Sequence, residues 1–162
     1  MQARGMTNWQ PRAAGRRHPW PAGVVFRRLY EGTECVLAAQ LIAACGLQPP
    51  PAGTGAIAWF GLWDLAAAGG ERLVGAAVAG QVGAETVRLY AVAVPSAQRR
   101  RGFGQRMVRE VADALRTDGS AWLVAGPVTG NVAARRLLHA AGFRPARSSA
   151  QNSGAGWLGL EL

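Results

Sequence analysis

The chain has 162 residues, 49% hydrophobic and 17% charged, which is enough for one core, too little for two, and too apolar for wholesale disorder. All 18 basic residues are arginine and face 9 acids, for a net charge of +9. Four of those charges, Arg4, Arg12, Arg16 and Arg17, lie before residue 22 with no acid among them, so the body is only mildly basic, which argues against a nucleic-acid-binding face spread over the domain.

Residues 1–22 mix Arg, Pro, Gly and isolated Trp without a period, and are expected to form a flexible tail ahead of a domain over 23–162. Val24 to Leu29 reads as a short strand. Thr33 and Glu34 can open a helix to about Cys45, with Val36, Leu37, Leu41, Ile42 and Cys45 as its apolar set, closed by Gly46 and Pro49-Pro50-Pro51. The chain's two cysteines, Cys35 and Cys45, would sit ~15 Å apart along that helix and cannot bridge. Neither pairs with His18 or His139 at a metal-ligand spacing, so no metal is expected.

Ile57 to Leu65 and Leu73 to Val78 flank Gly69-Gly70 as a hairpin candidate, and Gly80 to Gly83 turns into Thr86 to Val94, the strongest strand in the sequence. No membrane span is expected: Val36 to Leu47 is too short, and Leu73 to Val94 contains Gln81, Glu85 and Arg88. No signal-peptide pattern is visible near Arg16-Arg17, and a cytoplasmic location is expected. After a loop from Gln98 to Gly104, a helix to about Thr117 places Met107, Val108, Val111, Ala114 and Leu115 on one face. Trp122 to Ala125 reads as a buried strand and Asn131 to Ala141 as a helix. Phe143 to Arg147 and Trp157 to Leu162 read as a closing pair of strands. Strands and helices in this order indicate an α/β or α+β sheet domain.

The chemistry concentrates where the Val92-Ala93-Val94 strand end feeds a Gly-interrupted loop, Arg99-Arg100-Arg101-Gly102-Phe103-Gly104, and then a helix N-terminus. Amides unused by the helix, the positive end of its dipole and three arginines suit an anion there. Gly102 and Gly104 remove side chains that would hold a pyrophosphate away. No Gly-Lys-Ser/Thr and no third glycine follows, which excludes two other phosphate-loop types.

Arg99-x-x-Gly102-x-Gly104, followed by Asn131-x-x-Ala134, Leu137-Leu138 and Gly142-Phe143, resembles the GNAT acetyltransferase superfamily over about residues 24–162. The resemblance implies a mixed sheet of six to seven strands, splayed between strands 4 and 5 and flanked by about four helices. It also implies acetyl-CoA as co-substrate and direct transfer of the acetyl group to an amine on a small molecule or peptide. Carried over, the backbone of Val92, Ala93 and Val94 would pair with the pantetheine arm. The amides from Arg100 to Gly104, through Arg101, Gly102 and Phe103 and beside Arg99, would hold the pyrophosphate. Asn131 would either hydrogen-bond the pantetheine arm or cap its helix. Arg135, Arg136 and His139 read as surface residues.

The sequence departs from the family pattern at the proton-handling positions. Leu138 stands where many relatives carry a tyrosine acid, and Arg88 where some place a glutamate base. The candidates left are Tyr90, on the Arg88 face, and Glu85, on the opposite face of a regular strand. Two other classes stay open: a non-catalytic acyl-CoA sensor, which the missing tyrosine favours, and a basic module docking on nucleic acid or ribosomes, which the tail slightly favours. A homodimer is also compatible with the sequence.

Overall fold

The computed structural model describes residues 19–30, 32–146 and 156–162. The first four strands are β1 (Val24–Leu29), β2 (Ile57–Asp64), β3 (Arg72–Gln81) and β4 (Thr86–Ala93); β2 and β3 are near-continuous apolar runs buried on both faces, and β4 alternates in burial. The shorter β5 (Trp122–Ala125), β6 (Arg144–Pro145) and β7 (Leu158–Glu161) complete the strands, and the helices are α1 (Gly32–Ala44), α2 (Phe103–Thr117) and α3 (Val132–Ala140). They form one sheet in the order β1-β2-β3-β4-β5-β7-β6. Every pairing is antiparallel except β4 with β5.

A two-sided sheet needs two apolar faces, and β3 supplies both. Ala77 and Ala79 join a layer with Met107, Val108, Val111 and Leu115 of α2 and Leu138 of α3, whereas Ala76 and Val78 join a layer with Ala38 and Ile42 of α1. Alanines on β3 keep the helices close. Gly75 does the same, since a β-carbon there would come within 2.9 Å of Met107 Sδ.

Four details differ from the sequence expectation. Among the described residues there are three α-helices and one 3-10 turn (Ser96–Gln98), because three consecutive prolines, with Gly53 and Gly55, leave no room for a helix between α1 and β2. The helix α1 buries Ala38 and Ile42, with Cys35, Leu41 and Cys45 half-buried, and exposes Val36 (55%) and Leu37 (42%). β3 continues through Gly80 and Gln81, residues the sequence placed in a turn. A β-carbon at Gly80 would meet Thr54 Cγ2 at 2.6 Å and Tyr90 Cε2 at 3.1 Å, so the glycine makes room for the tyrosine ring within the sheet.

The fourth difference concerns the tail, most of which, 1–18, lies outside the described residues. Trp20 belongs to the folded body. Its ring stacks on Phe26 of β1 at 6.1 Å, meets Phe103 of α2 edge-on at 5.8 Å, and lies under the Arg106 guanidinium at 4.2 Å. Phe26 in turn stacks on Phe60 at 5.7 Å, so the segment before β1 continues an aromatic column into the core. Trp20→Ala is expected to cost about 1–3 kcal/mol and lower Tm by roughly 3–10 °C in a thermal melt. An unchanged Tm would show that the column contributes nothing.

Candidate functional site

The sheet opens between β4 and β5. β5 pairs only with the first half of β4, Thr86 to Leu89, and the edge of β4 facing it is unpaired from Tyr90 to Ala93. Tyr90 is the cause on the β4 side. Leu89 faces Ala79 and Ala91 faces Val78, so Tyr90 is the extra residue of a bulge, and a bulge turns and twists its strand. On the other side the chain leaves β5 at Gly126, and Val128 is held by its amide on Gly156 O at 2.9 Å. The result is a wedge whose one wall is a free strand edge, ready to pair with an extended, amide-bearing ligand.

The loop at the mouth of the wedge presents bare amides. After the 3-10 turn, Arg100 has φ +60° and Gly102 has φ +72°, and the second ends the loop as the N-cap of α2 with no side chain to cap it. Among the described residues, no acceptor takes the amides of Arg100 through Gln105, and the first turn of α2 holds no acid. Unpaired amides at the positive end of a 15-residue helix form an anion cradle. The arginines frame it: Arg99 Nε donates to Val94 O at 3.0 Å, and Arg101 donates to Gln98 Oε1 at 2.6 Å with its guanidinium over Phe103. Arg100 is exposed. Behind this loop a groove of about 380 Å³ is lined by Leu41, Ala44, Cys45, Pro95, Ser96 and Arg99.

The two glycines of the loop differ in role. A β-carbon on Gly102 would meet open space, consistent with close approach of a ligand. One on Gly104 would meet Leu137 Cδ1 at 2.6 Å, so Gly104 also lets α2 and α3 pack together. Asn131 caps α3, its Oδ1 accepting from the Ala134 amide at 2.9 Å, in the segment that follows β5. Arg135, Arg136 and His139 are exposed, and His139 Nδ1 donates to Phe143 O at 3.1 Å.

Of the proton-handling candidates, Tyr90 lies at the wedge and Glu85 does not. Glu85 precedes β4 at the closed end, exposed, with its carbonyl accepting from Ala121 and Trp122. Five residues of strand, roughly 16 Å, separate it from Tyr90. Leu138 is buried in the core beside Phe143 and faces no cleft. Leu138→Ala should therefore act on stability, costing about 2–5 kcal/mol in denaturant unfolding. An unchanged unfolding midpoint would show that Leu138 does not support the core. Cys35 is no nucleophile candidate, since burial, and then the Glu34 carboxylate, push its thiol above the ordinary value. Among the described residues no cluster could hold a metal, and no helix is long and apolar enough to cross a membrane.

Sequence reasoning missed Arg88. Its guanidinium lies between the rings of Tyr90, 4.6 Å away, and Trp157, 4.8 Å away, and Nη2 donates to Gly126 O at 2.9 Å. The arginine thus ties β4 to the chain leaving β5, at the apex of the wedge.

The protein-family model for FR47-like protein matches residues 69–151, just over half of the chain. No curated protein matches the sequence. Among solved structures, one from Desulfovibrio desulfuricans, assigned to the GNAT acetyltransferase family, aligns with a TM-score of 0.62 at 21% identity over 85% of this chain and 98% of its own. The ribosomal-protein-S18-alanine N-acetyltransferase of Escherichia coli aligns at 0.61 and 20% identity over 85% and 93%. A Bacillus subtilis acetyltransferase in complex with CoA aligns at 0.58 and 16% identity over 86% and 99%. The splayed sheet, the amide-lined loop and these likenesses agree, and the chain belongs to the FR47-like family within the GNAT superfamily.

Proposed function

We propose that the protein moves an acetyl group from acetyl-CoA directly to a primary amine. The observation that carries this reading is the wedge between β4 and β5 with the uncapped amides of Arg100 to Gly104 at its mouth. The CoA found with the Bacillus subtilis structure supports it at the level of fold. Acetyl-CoA supplies an activated thioester carbonyl, and the chain binds and orients it. The backbone of Val92, Ala93 and Val94 would pair with the pantetheine arm, and the loop amides, with Arg99, Arg100 and Arg101 alongside, would hold the pyrophosphate. Asn131 is engaged as a helix cap through Oδ1, which leaves its amide nitrogen for the arm.

Transfer requires that the acceptor ammonium lose a proton and that the departing thiolate gain one. Tyr90, at the bulge where the free edge begins, is the side chain we assign to the thiolate. Water serves the ammonium, because Glu85 stands at the closed end of the sheet. A non-catalytic acyl-CoA sensor is the second reading, favoured by Leu138 being a core residue in place of an acid. A screen of amines, peptides and aminoglycosides for acetyl-CoA-dependent thiol release tests the two. Release above the hydrolytic background with any amine supports the enzyme, and tight acetyl-CoA binding with no release supports the sensor.

A further inference from the structure

Arg88 carries a charge that no acid among the described residues balances. Val87 and Leu89 turn into the layer under α2, so Arg88, Tyr90 and the alanines beyond them lie on the α1 side of the sheet, at the apex of the wedge. Among the described residues no carboxylate pairs with Arg88, and the ion pairs found there belong to Arg27, Arg28 and Arg116. Glu31 is the one acid of the sequence outside the described set. Nε is buried without a partner, Nη2 is spent on Gly126 O, and Nη1 has no partner among the described residues. A cation half-withdrawn from water with no anion beside it is costly, and such groups are normally paired. The ring contacts explain how it is held: Tyr90 and Trp157 lie against the guanidinium and leave Nη1 for an anion such as carboxylate.

We propose that Arg88 is the specificity-determining contact of the acceptor site and that the acceptor is an amine that also carries a carboxylate, the amino-acid class. The inference rests on the acetyltransferase reading above. A guanidinium at the apex repels a bare ammonium and polyamine acceptors, whereas a carboxylate bound to it holds a neighbouring amine on the free-edge side of Tyr90.

The test is acetyl-CoA-dependent thiol release from an equimolar pool of the twenty L-amino acids against a pool of their amides, with acetyl-CoA binding measured separately by calorimetry. Amides have less basic amines, more of them unprotonated at neutral pH, so reactivity alone favours the amide pool. The expected result is faster release from the acids by about tenfold or more, the size of one charge-assisted contact. That ratio should fall toward one in Arg88→Gln with acetyl-CoA affinity unchanged, and Arg88→Lys should recover part of it. A merely structural Arg88 would shift Tm without moving the ratio. The proposal is overturned if acetyl-CoA binds and the amides react as fast as the acids, if neither pool reacts, or if Arg88→Gln leaves the ratio intact. No acetyl-CoA binding by the unmodified protein would instead sink the acetyltransferase reading, and this proposal with it.

Discussion

Gly102→Asp is expected to weaken acetyl-CoA binding by about 100-fold or more while leaving a folded protein. The left-handed φ of +72° at this position costs an L-residue about 1–2 kcal/mol, and aspartate is among the residues that tolerate it best. No neighbour would be struck, since a β-carbon at Gly102 points into open space. The fold should therefore lose only a few degrees of Tm. Binding should suffer far more, because a carboxylate would stand beside amides whose value lies in presenting only positive partial charge to phosphate. Gly102→Asn separates charge from bulk: it has the same shape and backbone tolerance without the anion, and should retain most of the affinity. The matching change at Gly104 is a poorer probe, since Leu137 occupies the space its side chain would need. Equal affinity in Gly102→Asp and the unmodified protein, measured by calorimetry, would show that the loop does not hold the pyrophosphate.

The second large effect is expected at Tyr90. Tyr90→Phe keeps the ring that fills the space above Gly80 and stacks on Arg88, so stability and acetyl-CoA affinity should hold. The phenolic proton alone is removed, and kcat with an identified amine should fall by about 10²-fold, as for a lost general acid. Full kcat across pH in the variant would assign the proton to water.

Much of this arrangement was legible because strand periodicity and turn residues are local signals. The β4 strand, its run into Arg99 to Gly104, the α2 stripe through Met107, Val108 and Val111, and the closing strands all follow from spacing of two, or of three and four. What failed depends on partners distant in sequence. The α1 helix is apolar almost all round, so its pattern gave no direction, and the sheet chose Ala38 and Ile42 because small side chains let the helix approach the alanines of β3. The bulge at Tyr90 is a mismatch between two strands and leaves no mark on either alone. Gly80 was read as a turn because its reason is the Tyr90 ring, ten residues on. Trp20 was read with the tail because its partners Phe26 and Phe103 belong to different elements. At the site, the loop could be recognised from its own residues. The apex could not, since Arg88 acquires its meaning only when Trp157, 69 positions away, closes over it.

Calorimetric titration of the unmodified protein with acetyl-CoA, and with duplex and single-stranded oligonucleotides, each at two salt concentrations, tests the central claim most directly. The account predicts saturable acetyl-CoA binding at one site per chain. Any oligonucleotide binding should be weak and lost as salt rises, since dispersed arginine contacts to phosphate are screened. Absence of acetyl-CoA binding, together with tight and salt-sensitive binding of an oligonucleotide, would contradict it.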